Sequence, residues 1–172
     1  MPKVPPLSSR TVDPMHLRLR LNGQEVEAEV APATRLSTFL RETMRLTGLK
    51  EGCCEGECGA CTVLLDGLPI NACLMLAFQA GGRTVVTVEG LSDNGPGGLQ
   101  RRFVEMGAVQ CGYCTPGMII AAEGLLRSDT APDEPAIRHA LAGNLCRCTG
   151  FETIVDAVAS EAAGRRLRSA AS

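Results

Sequence analysis

Eight of the nine cysteines in this 172-residue chain fall into two groups of four, and this grouping constrains the fold more than any other feature of the sequence. The first group consists of Cys53, Cys58, Cys61 and Cys73. The second group consists of Cys111, Cys114, Cys146 and Cys148. Four thiols are enough to supply every protein ligand of one metal centre. The chain is therefore expected to fold around two such centres.

The spacing within the groups favours iron. The first group reads CxxxxCxxC followed by a cysteine twelve positions later, which is the ligand spacing of plant-type [2Fe–2S] loops. The second group is a CxxC pair closed by a distant CxC pair. Around the first group, Gly52, Gly56 and Gly59 would let backbone N–H groups approach the bridging sulfides of a cluster. The eight cysteines are therefore predicted to be ligands of two iron–sulfur clusters.

Two other uses of clustered thiols stay open, disulfide bonds and structural zinc. Disulfides are typical of exported proteins, and residues 1–14 contain no apolar run that would serve as a signal peptide, so a cytoplasmic protein with reduced thiols is expected. Zinc is the stronger alternative, because CxxC pairs also build tetrahedral sites. The step from Cys53 to Cys58 exceeds the usual zinc knuckle, however. Neither His16 nor His139 adjoins a cysteine group.

The ninth cysteine, Cys54, directly follows the first predicted ligand. It is interpreted as a thiol without a metal, because Cys53 and not Cys54 completes the CxxxxCxxC spacing. The alternative, in which Cys54 replaces Cys53 as ligand through a CxxxC step, stays open.

Composition excludes some classes of function. The formal net charge is −2, 45% of the residues are hydrophobic and 3% are aromatic. A chain without a basic stripe or a set of aromatic side chains lacks the features of a nucleic-acid binder. No stretch approaches the roughly 18 apolar residues that a membrane span needs.

The first half of the chain is predicted to form strands and one helix. Alternating polarity marks two hairpins that turn at Asn22-Gly23 and Asp66-Gly67. The predicted strands are residues 16–21, 25–30, 62–65, 68–70 and 84–88. Between the hairpins, the apolar positions at helical spacing are Leu36, Phe39, Leu40 and either Thr43 or Met44. Gly48 is predicted to end that helix.

The second half is predicted to be a small bundle of four helices. Their apolar stripes are Leu99, Phe103 and Met106; Met118, Ile119, Ala122, Leu125 and Leu126; Ile137, Leu141 and Leu145; and Ile154, Val155 and Val158. Thr115 is predicted to cap the second helix and Asp133 the third, and the fourth is expected to start after Gly150. The second cysteine group falls between these helices, so a cluster there would join two helical hairpins.

Three segments carry a resemblance to a known family. They are residues 52–62 (GCCEGECGACT), 110–117 (QCGYCTPG) and 143–150 (GNLCRCTG). Over about residues 15–160 the chain resembles the separate small iron–sulfur subunit of the molybdenum hydroxylases, such as bacterial carbon monoxide, xanthine and aldehyde dehydrogenases. One departure is Cys54, where the family more often has glycine.

The resemblance implies an α+β fold, in which a β-grasp ferredoxin-like domain is followed by an all-α four-helix-bundle [2Fe–2S] domain. The expected organisation is a disordered tail (1–14), a plant-type ferredoxin-like domain (15–91), a linker (92–98), a helical [2Fe–2S] domain (99–160) and a basic C-terminal tail (161–172).

The resemblance also implies an electron-transfer function. Electrons would pass from a molybdopterin, expected as its cytosine dinucleotide, on a large subunit, through both clusters to FAD on a medium subunit, within a heterotrimer or its dimer. Gln110 and Cys148 match family residues that approach the pterin, so the helical-domain cluster would lie nearest to it. Catalytic residues are not expected on this chain. A free-standing two-cluster ferredoxin and a structural zinc-binding module are the alternatives.

Overall fold

The computed structural model describes residues 13–91 and 97–171, which form one mixed β-sheet and five helices. The strands are β1 (Met15–Leu21), β2 (Gln24–Val30), β3 (Thr62–Leu65), β4 (Leu68–Asn71) and β5 (Thr84–Val86). The helices are α1 (Leu36–Thr38, continued as a π-helical turn over Phe39–Thr43), α2 (Gly98–Glu105), α3 (Thr115–Ser128), α4 (Glu134–Leu141) and α5 (Glu152–Ala170). Most of the predicted tail 1–14 and linker 92–98 lies outside the described residues.

The five strands form one sheet in the order β2-β1-β5-β3-β4. Only the β1–β5 pair is parallel among the pairs of this sheet. Asn22 and Asp66 open the two hairpin turns with positive φ angles of 49° and 50°, as two-residue turns of this kind require. All five predicted strands are present. The last strand is shorter than predicted, because a 3-10 turn begins at Val88.

The predicted helix after the first hairpin is confirmed, but its predicted end at Gly48 is wrong. Met44 N–H donates to the carbonyl of Phe39, a five-residue step that widens the last turn, and the chain reverses at Arg45, where φ is 59°. Met44 packs on the core and Thr43 is exposed, which settles the alternative between them. Gly48 has a packing role instead, since a Cβ there would overlap the side chains of Val88 and Glu89. Its N–H also donates to Glu89 Oε1 at 2.8 Å.

The four helices of the second half are confirmed, and Asp133 caps α4 by accepting a 2.9 Å hydrogen bond from Ala136 N–H. Thr115 is the first residue of α3 and not its cap. Two predicted core positions are wrong. Met106 is 38% exposed because α2 ends before it, and Leu145 is 59% exposed because it lies beyond α4 in a cysteine loop.

Residues 161–170 of the basic C-terminal segment continue α5 as a helix. Glu161 is only 2% exposed, and Glu123 of α3 is also buried. Arg165 connects these two acids, with its Nη2 2.6 Å from Glu123 Oε2 and its Nε 3.1 Å from Glu161 Oε1. Arg168 Nη2 adds a 2.7 Å contact to Glu161. Because a buried carboxylate is costly without a partner, these arginines hold the last turns of α5 in place.

The fold has two apolar cores that meet along α3. The sheet core contains Leu17, Leu19, Phe39, Val63 and Val85. The helical core contains Phe103, Met118, Ile137, Ile154 and Val158. Gly124 of α3 faces Leu64 and Pro69 of the sheet. The predicted fold class, a β-grasp sheet followed by a four-helix domain, is confirmed. No helix among the described residues is long and apolar enough to cross a membrane.

The close packing of the two halves at Gly117 predicts the cost of adding a methyl group there. A Cβ there would overlap the carbonyl oxygen of Gly59, which is backbone and has little room to move. We expect Gly117→Ala to destabilise the protein by about 1–3 kcal/mol, despite the better helix propensity of alanine. Thermal or denaturant unfolding of the variant measures this. Gly164→Ala in α5 is the control, because a Cβ there meets the flexible ends of Arg168 and Arg102, and stability equal to or above wild type is expected. Equal stability of both variants would contradict the packing argument.

Candidate metal centres

The first cysteine group lies at one end of the sheet, on the loop before β3 and on the 3-10 turn after β4. The β3–β4 hairpin brings Cys61 and Cys73 together, because Thr62 pairs with Asn71 and Ala72 N–H donates to the carbonyl of Cys61 at 3.2 Å. Cys61 and Cys73 are buried. Cys53 and Cys58 are half-buried, so this centre has an inner and an outer side.

Backbone N–H groups of the loop already point at a sulfur. The N–H groups of Glu55 and Cys58 each lie 3.4 Å from Cys53 Sγ. These hydrogen bonds lower the pKa of Cys53 to about 7, and the bond from Glu55 has the largest effect. Gly52 leaves room for a second sulfur, that of Cys58, because a Cβ at position 52 would be 2.9 Å from Cys58 Sγ. The loop therefore stabilises a thiolate before any metal binds.

The other two predicted loop glycines have different neighbours. Gly56 has a φ of +83°, and a Cβ there would meet the exposed Leu74 at 2.5 Å. Gly59 has a φ of +67°, and its Cβ position is filled by the Gly143 carbonyl and the Asn144 amide. Gly56 therefore shapes the outer surface of the loop, whereas Gly59 makes room for the second cysteine loop.

The second cysteine group is held by two loops of the helical half. Cys111 and Cys114 lie between α2 and α3, and Cys146 and Cys148 lie between α4 and α5, as predicted. Cys111 and Cys148 are exposed, and Cys114 and Cys146 are half-buried.

The two half-buried thiols of this centre differ in pKa. Burial raises the pKa of Cys114 to about 12. Burial also raises the pKa of Cys146, but hydrogen bonds to its sulfur outweigh this effect and lower the pKa to about 7. These bonds come from the Thr149 hydroxyl, at 3.1 Å, and from the backbone N–H groups of Cys148 and Thr149. The centre therefore combines a ready thiolate with a thiol that loses its proton only when a metal binds.

Within each centre, neighbouring thiols shift one another's pKa values, mainly through hydrogen bonds between their side chains. The side-chain pairs are Cys53 with Cys58, Cys61 with Cys73, Cys114 with Cys146, and Cys111 with Cys148. Within residues 13–91 and 97–171, no group of three or more His, Cys, Asp or Glu side chains is arranged to hold a metal ion. A [2Fe–2S] cluster takes its thiolates two on each iron, so two adjacent thiol pairs fit that cluster.

The structure also gives the positions of Gln110 and of the two histidines. Gln110 is exposed and directly precedes Cys111, whose thiol interacts with that of Cys148. His16 is on β1, 3.0 Å from Glu29, and His139 is on α4.

Three polar residues of the site were missed from the sequence. Asn144 is buried and donates to the first cysteine loop, Tyr113 O–H donates to the Glu51 carbonyl at 2.6 Å, and Thr149 bonds to Cys146. All three lie inside the two family motifs of the helical half, residues 110–117 and 143–150. Their place in these motifs was the one sign in the sequence that they could belong to the site. Their partners, however, are set by the tertiary structure.

Comparison with known proteins assigns a family to both halves. Residues 19–78 match the 2Fe-2S iron-sulfur cluster binding domain, and residues 87–159 match the [2Fe-2S] binding domain. The nicotinate dehydrogenase small FeS subunit of Eubacterium barkeri is 51% identical over 83% of this chain and 91% of its own length. The xanthine dehydrogenase iron-sulfur-binding subunit of Escherichia coli O157:H7 is 46% identical over 80% of this chain and 88% of its own length. The crystal structure of quinoline 2-oxidoreductase from Pseudomonas putida 86 has a chain that superposes with a TM-score of 0.87 at 43% identity, covering 91% of this chain and 98% of that one.

The two pKa values in the second centre predict the order in which its thiols react in the metal-free protein. Alkylation proceeds through the thiolate, so labelling of Cys146 should rise through about pH 7 and then level off. Labelling of Cys114 should stay slow at neutral pH and keep rising beyond pH 10, because its pKa is about 12. Peptide mapping by mass spectrometry after timed labelling measures both. In urea the two cysteines should react alike, near the ordinary thiol pKa of about 8.5. Equal pH profiles in the folded protein would refute the assignment.

Substitution of Cys53 and of its neighbour Cys54 is expected to have opposite effects on the amount of bound iron. Cys53 Sγ accepts hydrogen bonds from backbone N–H groups and interacts with the thiol of Cys58, as a ligand of this centre would. The next residue, Cys54, has a left-handed backbone conformation with a φ of 57°. We expect Cys53→Ser to lower the bound iron by about two atoms per chain and Cys54→Ser to retain all of it. Iron and acid-labile sulfide analysis measures both. Loss of iron from Cys54→Ser with retention in Cys53→Ser would show that the first ligand is Cys54.

Proposed function

Because the chain belongs to the family of small iron–sulfur subunits of the molybdenum hydroxylases, we propose that it carries electrons one at a time between the molybdopterin and the flavin of two partner subunits. The chain is an iron–sulfur subunit of an oxidoreductase. The observation that supports the relay is that the loops that carry the two cysteine groups are hydrogen-bonded to one another.

Each centre would hold one [2Fe–2S] cluster, which supplies one-electron redox chemistry when bound. At the first centre, Cys53 and Cys58 would hold the outer iron, and Cys61 and Cys73 the inner one. At the second, Cys111 and Cys148 would hold the exposed iron, and Cys114 and Cys146 the half-buried one. The thiol pairing supports this assignment.

The protein tunes the two centres differently. Burial of Cys61 and Cys73 keeps water from one side of the first centre, while the N–H groups on Cys53 stabilise negative charge on the other. At the second centre, the Thr149 hydroxyl and N–H groups act on Cys146. Hydrogen bonds to the sulfurs and solvent exposure are the levers that set cluster potentials, so unequal potentials are expected for the two centres.

The exposure of the second centre supports its placement toward the pterin. Gln110 and Cys148 are both exposed, so a cofactor held by another subunit can reach them. The proposed order is molybdopterin, expected as its cytosine dinucleotide, on a large subunit, then the second centre, the first centre, and FAD on a medium subunit. The three subunits would form a heterotrimer or its dimer. Substrate chemistry belongs to the large subunit, and no catalytic residue is proposed on this chain.

Electron paramagnetic resonance tests the proposal. Anaerobically reduced protein should give two distinct signals that total about two spins per chain. We expect Cys148→Ser to remove or distort one signal and leave the other unchanged. Arg147→Lys is the matched control, because it changes a neighbour of two ligands without removing a thiol and should keep both signals. A silent spectrum from reduced, fully metallated protein would remove the electron-transfer function and favour zinc.

A further inference from the structure

We propose that the cleft between α2 and α5 is a binding site for a phosphate group, held by the guanidinium groups of Arg101, Arg102 and Arg168. α5 begins four residues after Cys148, and Arg168 lies about 24 Å further along the helix axis. The site is therefore separate from the metal centres. This inference goes beyond the proposed electron-transfer function and does not depend on it.

The cleft is large enough to hold a phosphate group. Its volume is about 330 Å³, and it is partly open to solvent. It is lined by four residues of α2 and two of α5, namely Gly98, Arg101, Arg102, Glu105, Glu161 and Arg168. The four residues of α2 share one face of the helix, because they are spaced three or four positions apart. Two arginines of α2 and one of α5 therefore line the same accessible cavity.

Two of these guanidinium groups converge over Gly164 of α5. The position that a Cβ would take at Gly164 is 3.1 Å from Arg168 Nη1 and 3.8 Å from Arg102 Nη2, so the two nitrogens are at most 6.9 Å apart. Like charges at this separation repel one another unless an anion lies beside them. Glu161 is such an anion, with its Oε1 2.7 Å from Arg168 Nη2 and its Oε2 3.9 Å from Arg102 Nε. Glu161 is shared with Arg165, however, so it compensates the two converging arginines only in part.

Among the described side chains of the cleft and its ion pairs, positive charge exceeds negative charge by two. The ion pairs connect four arginines with three glutamates, namely Arg102, Arg127, Arg165 and Arg168 with Glu105, Glu123 and Glu161. Arg101 adds a fifth positive charge, and its side chain has no hydrogen bond or ion pair within residues 13–91 and 97–171. All the N–H donors of this guanidinium group are therefore available to a ligand in the cleft.

A phosphate group fits this excess of charge better than a carboxylate does. A phosphate ester carries a charge of about −1.5 to −2 at neutral pH, whereas a carboxylate carries a single negative charge. Guanidinium groups also bind phosphate oxygens through paired N–H donors. Arg102 donates from Nη1 to Glu105 at 2.9 Å, while its Nη2 is the atom that reaches over Gly164. Free phosphate and phosphate monoesters are therefore the expected ligands.

A nuclear magnetic resonance titration of the full, cluster-loaded chain tests the site. Inorganic phosphate is added at constant ionic strength, and the backbone amide signals of α2 and α5 are followed. We expect saturable shifts at Gly98, Arg101 and Gly164 that fit one site per chain. A second titration with glycerol 3-phosphate distinguishes the two sources of the phosphate group, because the tighter ligand shows whether the cleft prefers free phosphate or an ester.

Arg101→Gln removes one cleft guanidinium group without breaking an ion pair among the described residues. We expect this variant to keep its fold and both clusters and to bind phosphate roughly five- to tenfold more weakly. Arg166→Gln is the matched control, because it makes the same change of charge on α5. Arg166 Nη1 lies 3.5 Å from the Thr130 carbonyl, beside the end of α3, and Arg166 does not line the cleft. Its affinity for phosphate should be close to that of wild type.

The proposal is overturned if phosphate shifts the signals of α2 and α5 without saturation, as general screening of surface charge would. It is equally overturned if Arg101→Gln and Arg166→Gln weaken the binding of phosphate to the same extent. If a glutamate-rich peptide saturates the same signals and phosphate does not, the cleft is a contact site for an acidic protein, and the phosphate site is refuted.

Discussion

The structure depends on a contact at the Gly59 carbonyl between two loops that are far apart in sequence. The Gly59 carbonyl accepts hydrogen bonds from Thr62 N–H at 3.1 Å, Thr62 Oγ1 at 2.7 Å and Asn144 Nδ2 at 2.8 Å. A Cβ at Gly117 would overlap this oxygen, so the absence of a side chain at Gly117 lets the loops that carry the thiols touch. Because the two cores meet at the same place, the relative position of the two centres is set by packing and not by a flexible connection.

Much of the architecture follows from local sequence rules. The Asn22-Gly23 and Asp66-Gly67 turns determine both hairpins, and the cysteine spacing alone identifies the candidate ligands. The errors occur where local rules compete with tertiary contacts. Gly48 looks like a helix stop, but a side chain there would overlap Val88 and Glu89. Leu145 continues a helical stripe although its helix has already ended.

The sequence predicts candidate ligands for the site, but it does not predict the contacts that connect the two cysteine loops. Asn144 acts on Gly59, a residue far away in the chain, and no spacing rule reports such a pair. The same holds for Arg165, whose sequence context suggests a solvated basic tail. Its partners, Glu123 and Glu161, are buried by the packing of α3 against α5. Arg165 therefore forms hydrogen bonds to two buried carboxylates and stabilises the fold.

The two centres differ in how they face solvent, and this has a consequence for the life of the subunit before it meets other chains. Cys61 and Cys73 lie inside the protein, whereas Cys111 and Cys148 lie on its surface. Surface thiolates are the ones that oxidants and competing thiols reach first. In a newly made subunit Cys111 and Cys148 are therefore more vulnerable than Cys61 and Cys73, and burial of that surface against another chain would act as the shelter that the fold itself does not supply.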